Sequence, residues 1–443
     1  MVKWLFLLHP DCSGFISHKI EKAMPRYNYP TLVVTGVGAV TPIGNTAEEY
    51  WKGMMNSANG AGPITRFDAT HFDTRFACEV KNYDPLLHIN RKETQRMDLF
   101  TQFAISAAAM AVEDSGINFE NVDKHRAGVI IGSGIGGMWT YHHQQQNLYE
   151  RGGIPDRISP FFVPMLISDI AAGHVAIRYG LKGPNYATVS ACATSSHSIA
   201  DALMIMQRGD ADVMLVGGSE AVICPMGIGG FNSMKALSTR NDDPLTASRP
   251  FDLGRDGFVM GEGSGVMVVE TLEHAMNRGA TNIYGILAGI GLTDDAYHIT
   301  QPAPGGEGAV RSMQLCIKDA DLLPTDIDYI NAHGTSTPFN DRNESAAIRT
   351  VFGDYADSLA VSSTKSMTGH LLGAAGAIEA IATLMAIKNS MVPPTINYSE
   401  KDPDCDLNYT PNKAQTKSIK AAISNTFGFG GHNASICFKA YEG

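Results

Sequence analysis

Nothing in the 443 residues is apolar for long enough to cross a bilayer. No run approaches the roughly 18 residues a membrane helix needs, and the longest near the start, Trp4 to Leu8, is short even for the core of a signal segment. Positive charge is in the minority, 34 Lys and Arg against 45 Asp and Glu for a net −11. No basic block interleaved with aromatics occurs, so a nucleic-acid footprint is missing. An acidic partner would need a local basic patch to overcome the repulsion of the whole molecule. Cysteine is sparse: seven residues, at 12, 78, 192, 224, 316, 405 and 437, without paired spacing. Neither CxxC nor HExxH is present, which argues against structural zinc and for a reducing compartment. Linkers are lacking as well. Between residues 30 and 443 there is no long Pro/Ser-rich or charge-blocked stretch, so a length that suggests two or three domains reads as two tightly fused halves.

What is there suits a globular chain. With 44% apolar and 18% charged residues, no disulfide staples are needed, since a chain of this size buries roughly 75% of its extended surface. Residues 1–30 stand apart. They carry Asp11, Glu21 and a single arginine, Arg26, whereas an organellar presequence is rich in Arg and Ser and poor in acids. The expectation is a poorly ordered N-terminal extension, with Met24 an alternative start. From Thr31, short β-branched runs alternate with helical segments and close on glycines: Leu32-Val-Val-Thr-Gly-Val-Gly38, Ala127-Gly-Val-Ile-Ile-Gly132 and Ala211-Asp-Val-Met-Leu-Val-Gly-Gly218. Uninterrupted apolar strands between helices read as sheet buried on both faces, and the class is α/β. A faint internal repeat accompanies them. Val189-Ser-Ala-Cys-Ala-Thr-Ser-Ser-His-Ser198 overlays Val361-Ser-Ser-Thr-Lys-Ser-Met-Thr-Gly-His370, and each leads into a helix of small residues. Duplicated units of this kind place both turns on the side where open α/β sheets bind ligands.

Gly132-Ser-Gly134-Ile-Gly136-Gly137 matches the dinucleotide fingerprint GxGxxG directly after a strand. The context fails, because such a unit needs its helix to lead into a second parallel strand with an acid about 20 residues on. Here the chain runs into Gly152–Pro164, whose prolines mark a loop. Neither nicotinamide nor flavin is expected; the motif reads as a tight turn bringing backbone close to a pocket.

Cys192 falls where a strand expected over Tyr186 to Ser190 stops and a helix starts. A helix N-terminus lowers a thiol pKa and offers backbone N–H groups to an oxyanion, which is a nucleophile's position. Two histidines, His333 in Asn331-Ala-His-Gly-Thr-Ser-Thr337 and His370 in Lys365-Ser-Met-Thr-Gly-His, fall at strand ends in polar turns. One imidazole with an Asn or Asp suffices to activate a thiol for hydrolysis. Two neutral imidazoles aimed at one point suit an enolate or thioester oxyanion instead, and so carbon–carbon chemistry on thioesters. Lys365 and Glu379 are spaced to pair near His370.

At these residues the sequence resembles the elongating 3-oxoacyl-[acyl-carrier-protein] synthases of dissociated fatty-acid synthesis, closest to their type II members. The motifs are Val189-Ser-Ala-Cys-Ala-Thr-Ser-Ser-His197, Arg249-Pro-Phe-Asp252 with Arg255-Asp-Gly-Phe-Val-Met-Gly-Glu-Gly263, Asn331-Ala-His-Gly-Thr-Ser-Thr-Pro338, Val361 to Gly376, and Ser424-Asn-Thr-Phe-Gly-Phe-Gly-Gly431. The resemblance implies the thiolase fold, two pseudo-duplicated α/β halves in five αβαβα layers, with residues 31–278 carrying the nucleophile and 279–443 the two histidines. It implies a homodimer, with Cys192 taking the acyl chain from acyl-carrier protein. His333 and His370 then stabilise the enolate left when malonyl-carrier protein loses carbon dioxide. No cofactor and no metal is required, the substrates bringing phosphopantetheine on the carrier.

By the same resemblance, backbone N–H groups of Cys192 and Phe429 form the oxyanion hole. Phe429 gates the acyl tunnel and Ile135 lies on its wall. Thr300, Thr335 and Thr337 meet the pantetheine arm, and Lys92, Arg96 and Lys235 dock the acidic carrier. The location implied is cytoplasmic, or an organelle matrix if residues 1–30 are a presequence. His432 departs from the threonine common at its position, which bears on chain length. Two other readings share the fold, a polyketide ketosynthase and a non-catalytic partner subunit of chain-length-factor type; the second lacks the nucleophile.

Overall fold

The computed structural model describes residues 29–443, so the extension expected over residues 1–30 lies, but for its last two residues, outside the described part. Ten strands form the main sheet: β1 (Leu32–Val40), β2 (Ala127–Gly132), β3 (Asn185–Tyr186), β4 (Val213–Glu220), β5 (Gly263–Thr271), β6 (Gly285–Asp294), β7 (Tyr329–Asn331), β8 (Ala360–Ser362), β9 (Ala421–Gly428) and β10 (His432–Lys439). Their spatial order is β8-β7-β9-β10-β6-β1-β5-β4-β2-β3. Read from the centre outwards, the first five strands and the last five follow the same order. The pairings match as well: β2 is parallel to β3 and β4, as β7 is to β8 and β9, while β5 and β10 are antiparallel to both their neighbours. The halves meet where Leu32, Val33 and Val34 pair with Leu287, Ile286 and Gly285.

Helices cover every face. Helix α1 (Leu99–Ser115) lies on the outer face of the first half and α3 (Glu307–Asp319) on that of the second; α2 (Thr194–Arg208) and α4 (Ala375–Asn389) fill the middle layer. This is the five-layer thiolase arrangement. α4 is buried from Ala375 to Ile387 on all sides, which is why its sequence is apolar all round rather than striped. Glycines let the outer helices sit directly on the strands. A Cβ on Gly38 would come 2.0 Å from Ala107 O of α1, and one on Gly291 would come 1.9 Å from Ser312 O of α3. The same device seats the equivalent helix in each half.

The repeat is real, but its register differs from the overlay. α2 and α4 each follow a short 3-10 turn, Ala191–Ala193 and Leu372–Ala374, and each turn opens on a residue with positive φ, Ala191 (50°) and Leu372 (48°). Cys192 is therefore equivalent to Gly373, not to Thr364, because an extra helical turn, Lys365–Thr368, is inserted in the second half. The strand expected over Tyr186 to Ser190 is cut to Asn185–Tyr186. Beyond it, side-chain hydroxyls take over from the ladder: Thr188 Oγ1 donates to Thr194 O (2.7 Å) and Ser190 N–H to Thr194 Oγ1 (2.9 Å).

Candidate active site

The Cys192 turn is tied by its own hydroxyls. Thr194 Oγ1 accepts from Ser190 N and donates to Ala191 O (2.8 Å), holding Ala191 in a left-handed conformation that a non-glycine residue adopts only under constraint. Cys192 is thereby held at the middle of the Ala191–Ala193 turn ahead of α2. His370 arrives from the other half. Its backbone N–H donates to Val259 O (2.7 Å) and its carbonyl accepts from Gly261 N (2.9 Å), so the Arg255–Gly263 motif is the bracket that fixes it.

His333 sits just past β7 in a turn caged by two buried acids. Glu344 accepts from His333 N (2.9 Å) and Gly334 N (2.8 Å), and Asp341 accepts from Thr335 N (3.0 Å), Ser336 N (3.1 Å) and Phe251 N (2.8 Å). Arg255 lies 3.7 Å from Asp341 and donates to Asp402 (2.5 Å), anchoring the cage. These carboxylates are scaffold.

The three groups meet. His370 Nε2 is 3.0 Å from Cys192 Sγ, the two imidazole rings lie 5.3 Å apart and nearly perpendicular, and one donor atom from each of Cys192, His333 and His370 falls within 4.8 Å of the others. Both histidines are buried, and Nδ1 of each has no hydrogen-bond partner among the described residues. Burial drives both imidazoles well below the usual histidine range, and the Lys365 ammonium pushes the same way, so both rings are neutral near pH 7. Lys365 is itself buried and donates to Glu379, whose carboxyl burial raises to about 7. The same ammonium opposes a cation at the cluster, although a thiol with two imidazoles is a soft-metal donor set.

Cys192 departs from expectation. Burial of its sulfur pushes the thiol up to about 11, against the pull of Lys365 and of the Phe429 backbone N–H. The lowering expected from a helix N-terminus is outweighed because the sulfur is enclosed. The resting group is a thiol, with His370 Nε2 placed to take its proton. The Phe429 N–H is directed at the sulfur.

A cavity of about 330 Å³ opens above them. Thr300, Thr335, Thr337 and Phe429 line it, Thr335 and Thr337 sharing a hydroxyl hydrogen bond of 2.9 Å, and Lys235 stands at its wall with an exposed side chain 3.4 Å from Asp73. Lys92 and Arg96 are exposed elsewhere, on and just after the Arg91–Thr94 helix, and do not line it; Arg96 lies over the Phe161 ring. Ile135 does not line it either. Its side chain belongs to an apolar cluster that continues from the cavity wall at Phe231, Ala236, Phe258 and Leu372. His432 pairs with Gly428 at the base of the Phe429 turn, its Nδ1 3.5 Å from Asp294.

The glycine motif does cradle an acid, and it is a side chain, the Glu220 carboxyl, which burial raises to about 7. Ser133 Oγ (2.9 Å) and Ile135 N (3.2 Å) donate to Glu220 Oε1, and Gly134 N (2.8 Å) and Gly373 N (3.0 Å) donate to Oε2. Sequence reasoning missed Glu220, Asp341 and Glu344. The one signal was a lone acid closing an apolar strand, as in Val216-Gly-Gly-Ser-Glu220.

The chain matches the model of the β-ketoacyl synthase N-terminal domain over residues 30–275 and that of the C-terminal domain over residues 284–399. It is 52% identical over 411 residues to 3-oxoacyl-[acyl-carrier-protein] synthase 2 of Synechocystis sp., covering 93% of this chain and 98% of that one. It is 54% identical to the protein of the same name from Staphylococcus aureus, at the same coverage. Among solved structures, a β-ketoacyl synthase from Burkholderia phymatum shares 34% identity at a TM-score of 0.87, covering 93% of this chain and all of that one. A type II polyketide ketosynthase in complex with its acyl-carrier protein shares 35% at 0.87, covering 94% of this chain and all of that one. With both domain models spanning most of its length and Cys192, His333 and His370 brought together between its halves, the chain belongs to the β-ketoacyl synthase family.

Proposed function

We propose that the protein condenses acyl-[acyl-carrier-protein] with malonyl-[acyl-carrier-protein] to give 3-oxoacyl-[acyl-carrier-protein], the elongation step of type II fatty acid synthesis. The observation that carries this reading is the approach of Cys192, His333 and His370 to within 4.8 Å, with the Phe429 N–H on the sulfur. Cys192 attacks the acyl thioester while His370 Nε2 takes its proton, and the departing carrier thiolate is protonated in turn. The acyl group now sits on sulfur and His370 has lost its thiol partner, so its ring can present an N–H in the other tautomer. Malonyl-carrier protein then loses carbon dioxide; the electron pair of the broken bond becomes an enolate, whose oxygen the N–H groups of His333 and His370 stabilise. The carbanion attacks the acyl carbonyl, the backbone N–H groups of Cys192 and Phe429 hold the oxyanion, and collapse expels the Cys192 thiolate. Decarboxylation supplies the carbanion, so no strong base is required.

Neutral imidazoles suit these roles better than charged ones, which would hold the malonyl carboxylate instead of letting it leave. Burial keeps them neutral, and the Lys365 ammonium pushes the same way. The higher identity to the fatty-acid synthases, 52–54% against 35% for the polyketide ketosynthase, favours fatty acid elongation over the polyketide reading, and Cys192 argues against a non-catalytic partner subunit. Thr300, Thr335 and Thr337 receive the pantetheine arm. Lys235, Lys92 and Arg96 dock the carrier, with Lys235 nearest the entrance. The division of labour falls at residues 278 and 279. A homodimer across the β3 edge is supported by exposed apolar side chains nearby, Ile177, Val189 and Met204, and the location proposed is cytoplasmic.

Intact-mass spectrometry tests the reading. Incubation with acyl-carrier protein adds the acyl mass to Cys192, and malonyl-carrier protein removes it with release of 3-oxoacyl product. Folded protein that takes up no acyl group from any carrier contradicts it.

A further inference from the structure

The glycine turn after β2 was the one sequence motif that the reaction did not absorb, and its occupant joins the two halves. Glu220 ends β4 in the first half and is fully buried. Three of its donors, Ser133 Oγ, Gly134 N and Ile135 N, come from the first half, and the fourth, Gly373 N, comes from the second. The turns on either side are pressed against it. A Cβ on Gly373 would lie 2.4 Å from Gly134 N and 2.6 Å from Glu220 Oε2, and one on Gly134 would lie 2.8 Å from the same oxygen. A side chain at either glycine would force the backbone or the carboxyl to move.

Those two turns carry side chains of one apolar cluster. Ile135 follows Gly134 and Leu372 precedes Gly373, and both side chains belong to the apolar cluster that continues from the cavity above Cys192 at Phe231, Ala236 and Phe258. An acyl chain held on Cys192 needs apolar room, and the cluster, which reaches the cavity at Leu372 and continues behind it to Ile135, is where that room can open. The polar side of the cavity holds Thr300, Thr335, Thr337 and Asn340. Leu372 is held at a φ of 48°, so its wall depends on constraint from its neighbours.

We propose that Glu220 is a positioning residue that fixes Ile135 and Leu372 on the two sides of the acyl space and thereby sets which acyl chains Cys192 accepts. The proposal rests on the elongation reading above. Glu220→Gln keeps the shape but turns one oxygen into an amide that faces N–H donors in either orientation. With the amide nitrogen at the Oε2 position the Gly134 and Gly373 bonds are both lost; at the Oε1 position Ser133 Oγ can turn to accept and only the Ile135 bond is lost, and in either case the cradle joining the two turns loosens. A displacement of this kind acts on substrate fit, which the ratio of two adducts on one sulfur reads, whereas loss of the Glu220 charge, which pushes the Cys192 thiol up, acts on both chains alike.

The test offers wild type and Glu220→Gln an equimolar mixture of butyryl- and palmitoyl-carrier protein and measures the ratio of the two Cys192 adducts by intact mass. The expected result is a shift of about tenfold in that ratio against the longer chain, the scale of effect that sub-ångström to ångström misplacement produces. Ile317→Val, in the outer cluster of the second half, gives the ratio that mere destabilisation produces, which should be that of wild type. Ser133→Ala removes one donor and leaves the carboxylate in place; it should shift the ratio the same way by about threefold, and it serves if Glu220→Gln does not fold. An unchanged ratio in a folded variant overturns the proposal. A wild type that forms neither adduct overturns the elongation reading, and this proposal with it.

Discussion

The two halves share a strand order, a pattern of pairings and the glycines that seat their outer helices, yet they present opposite chemistry at the same turn. In the first half the turn ahead of the central helix carries Cys192. In the second half the equivalent residue is Gly373, where a side chain would collide with Gly134 and Glu220, and the chemistry comes instead from His333 and from His370 just upstream. Each half also holds the turn after its second strand with a buried glutamate, Glu220 beneath Gly134 and Ile135, Glu344 beneath His333 and Gly334. The two halves keep one scaffold and differ at its ends: in the proposed reaction one half supplies the nucleophile and the other neutral N–H donors, so that neither is a site alone.

The comparison can be broken most severely at the nucleophile. Cys192→Ala should lower acyl transfer by about 10⁴-fold or more with circular dichroism and melting temperature unchanged, measured as acyl uptake by intact mass; full condensation by this variant would remove the division of labour. A gentler probe is pH. Because burial pushes the Cys192 thiol up to about 11, the reactive thiolate is scarce at neutral pH and grows with alkalinity. Alkylation by iodoacetamide should climb close to tenfold per unit between about pH 7 and 10. A plateau below about pH 8 would show that the helix N-terminus, not burial, governs the thiol. The C-terminal half should behave oppositely: its imidazoles are already neutral at pH 7, so condensation from pre-acylated enzyme should show no step near the usual histidine range. The smallest effect is expected at the rim. Lys235→Glu should raise KM for carrier-bound acyl groups by about three- to tenfold at low salt and leave KM for small thioesters unchanged; equal effects on both substrates would remove the docking role.

Much of this was legible in the chain itself, for physical reasons. Fully buried strands are written as uninterrupted apolar runs, so Ala127–Gly132 and the core of Val213–Glu220 could be read directly. Cys192, His333 and His370 stand out because a strand must end and turn beside them, and turns need the Gly, Ser and Thr that flank them. What could not be read was anything that depends on the two halves meeting. Glu220 looks like one more acid at a strand end until Gly373 arrives from 153 residues away to share it. The thiol's raised pKa follows from enclosure by residues of both halves, which no local helix signal reports. The register of the repeat was misplaced because the Lys365–Thr368 turn has no counterpart in the first half.

The most direct test of the division of labour is a chase on His333→Ala. The variant and wild type are acylated with one acyl-carrier protein, then given malonyl-carrier protein, and the mass on Cys192 is followed in both. His333 acts only on the second substrate in this account, so the variant should acylate within about tenfold of wild type and then hold its acyl group, condensing on the order of 10²-fold to 10³-fold more slowly. An adduct that leaves both proteins at the same rate, or one that never forms on the variant, would contradict it.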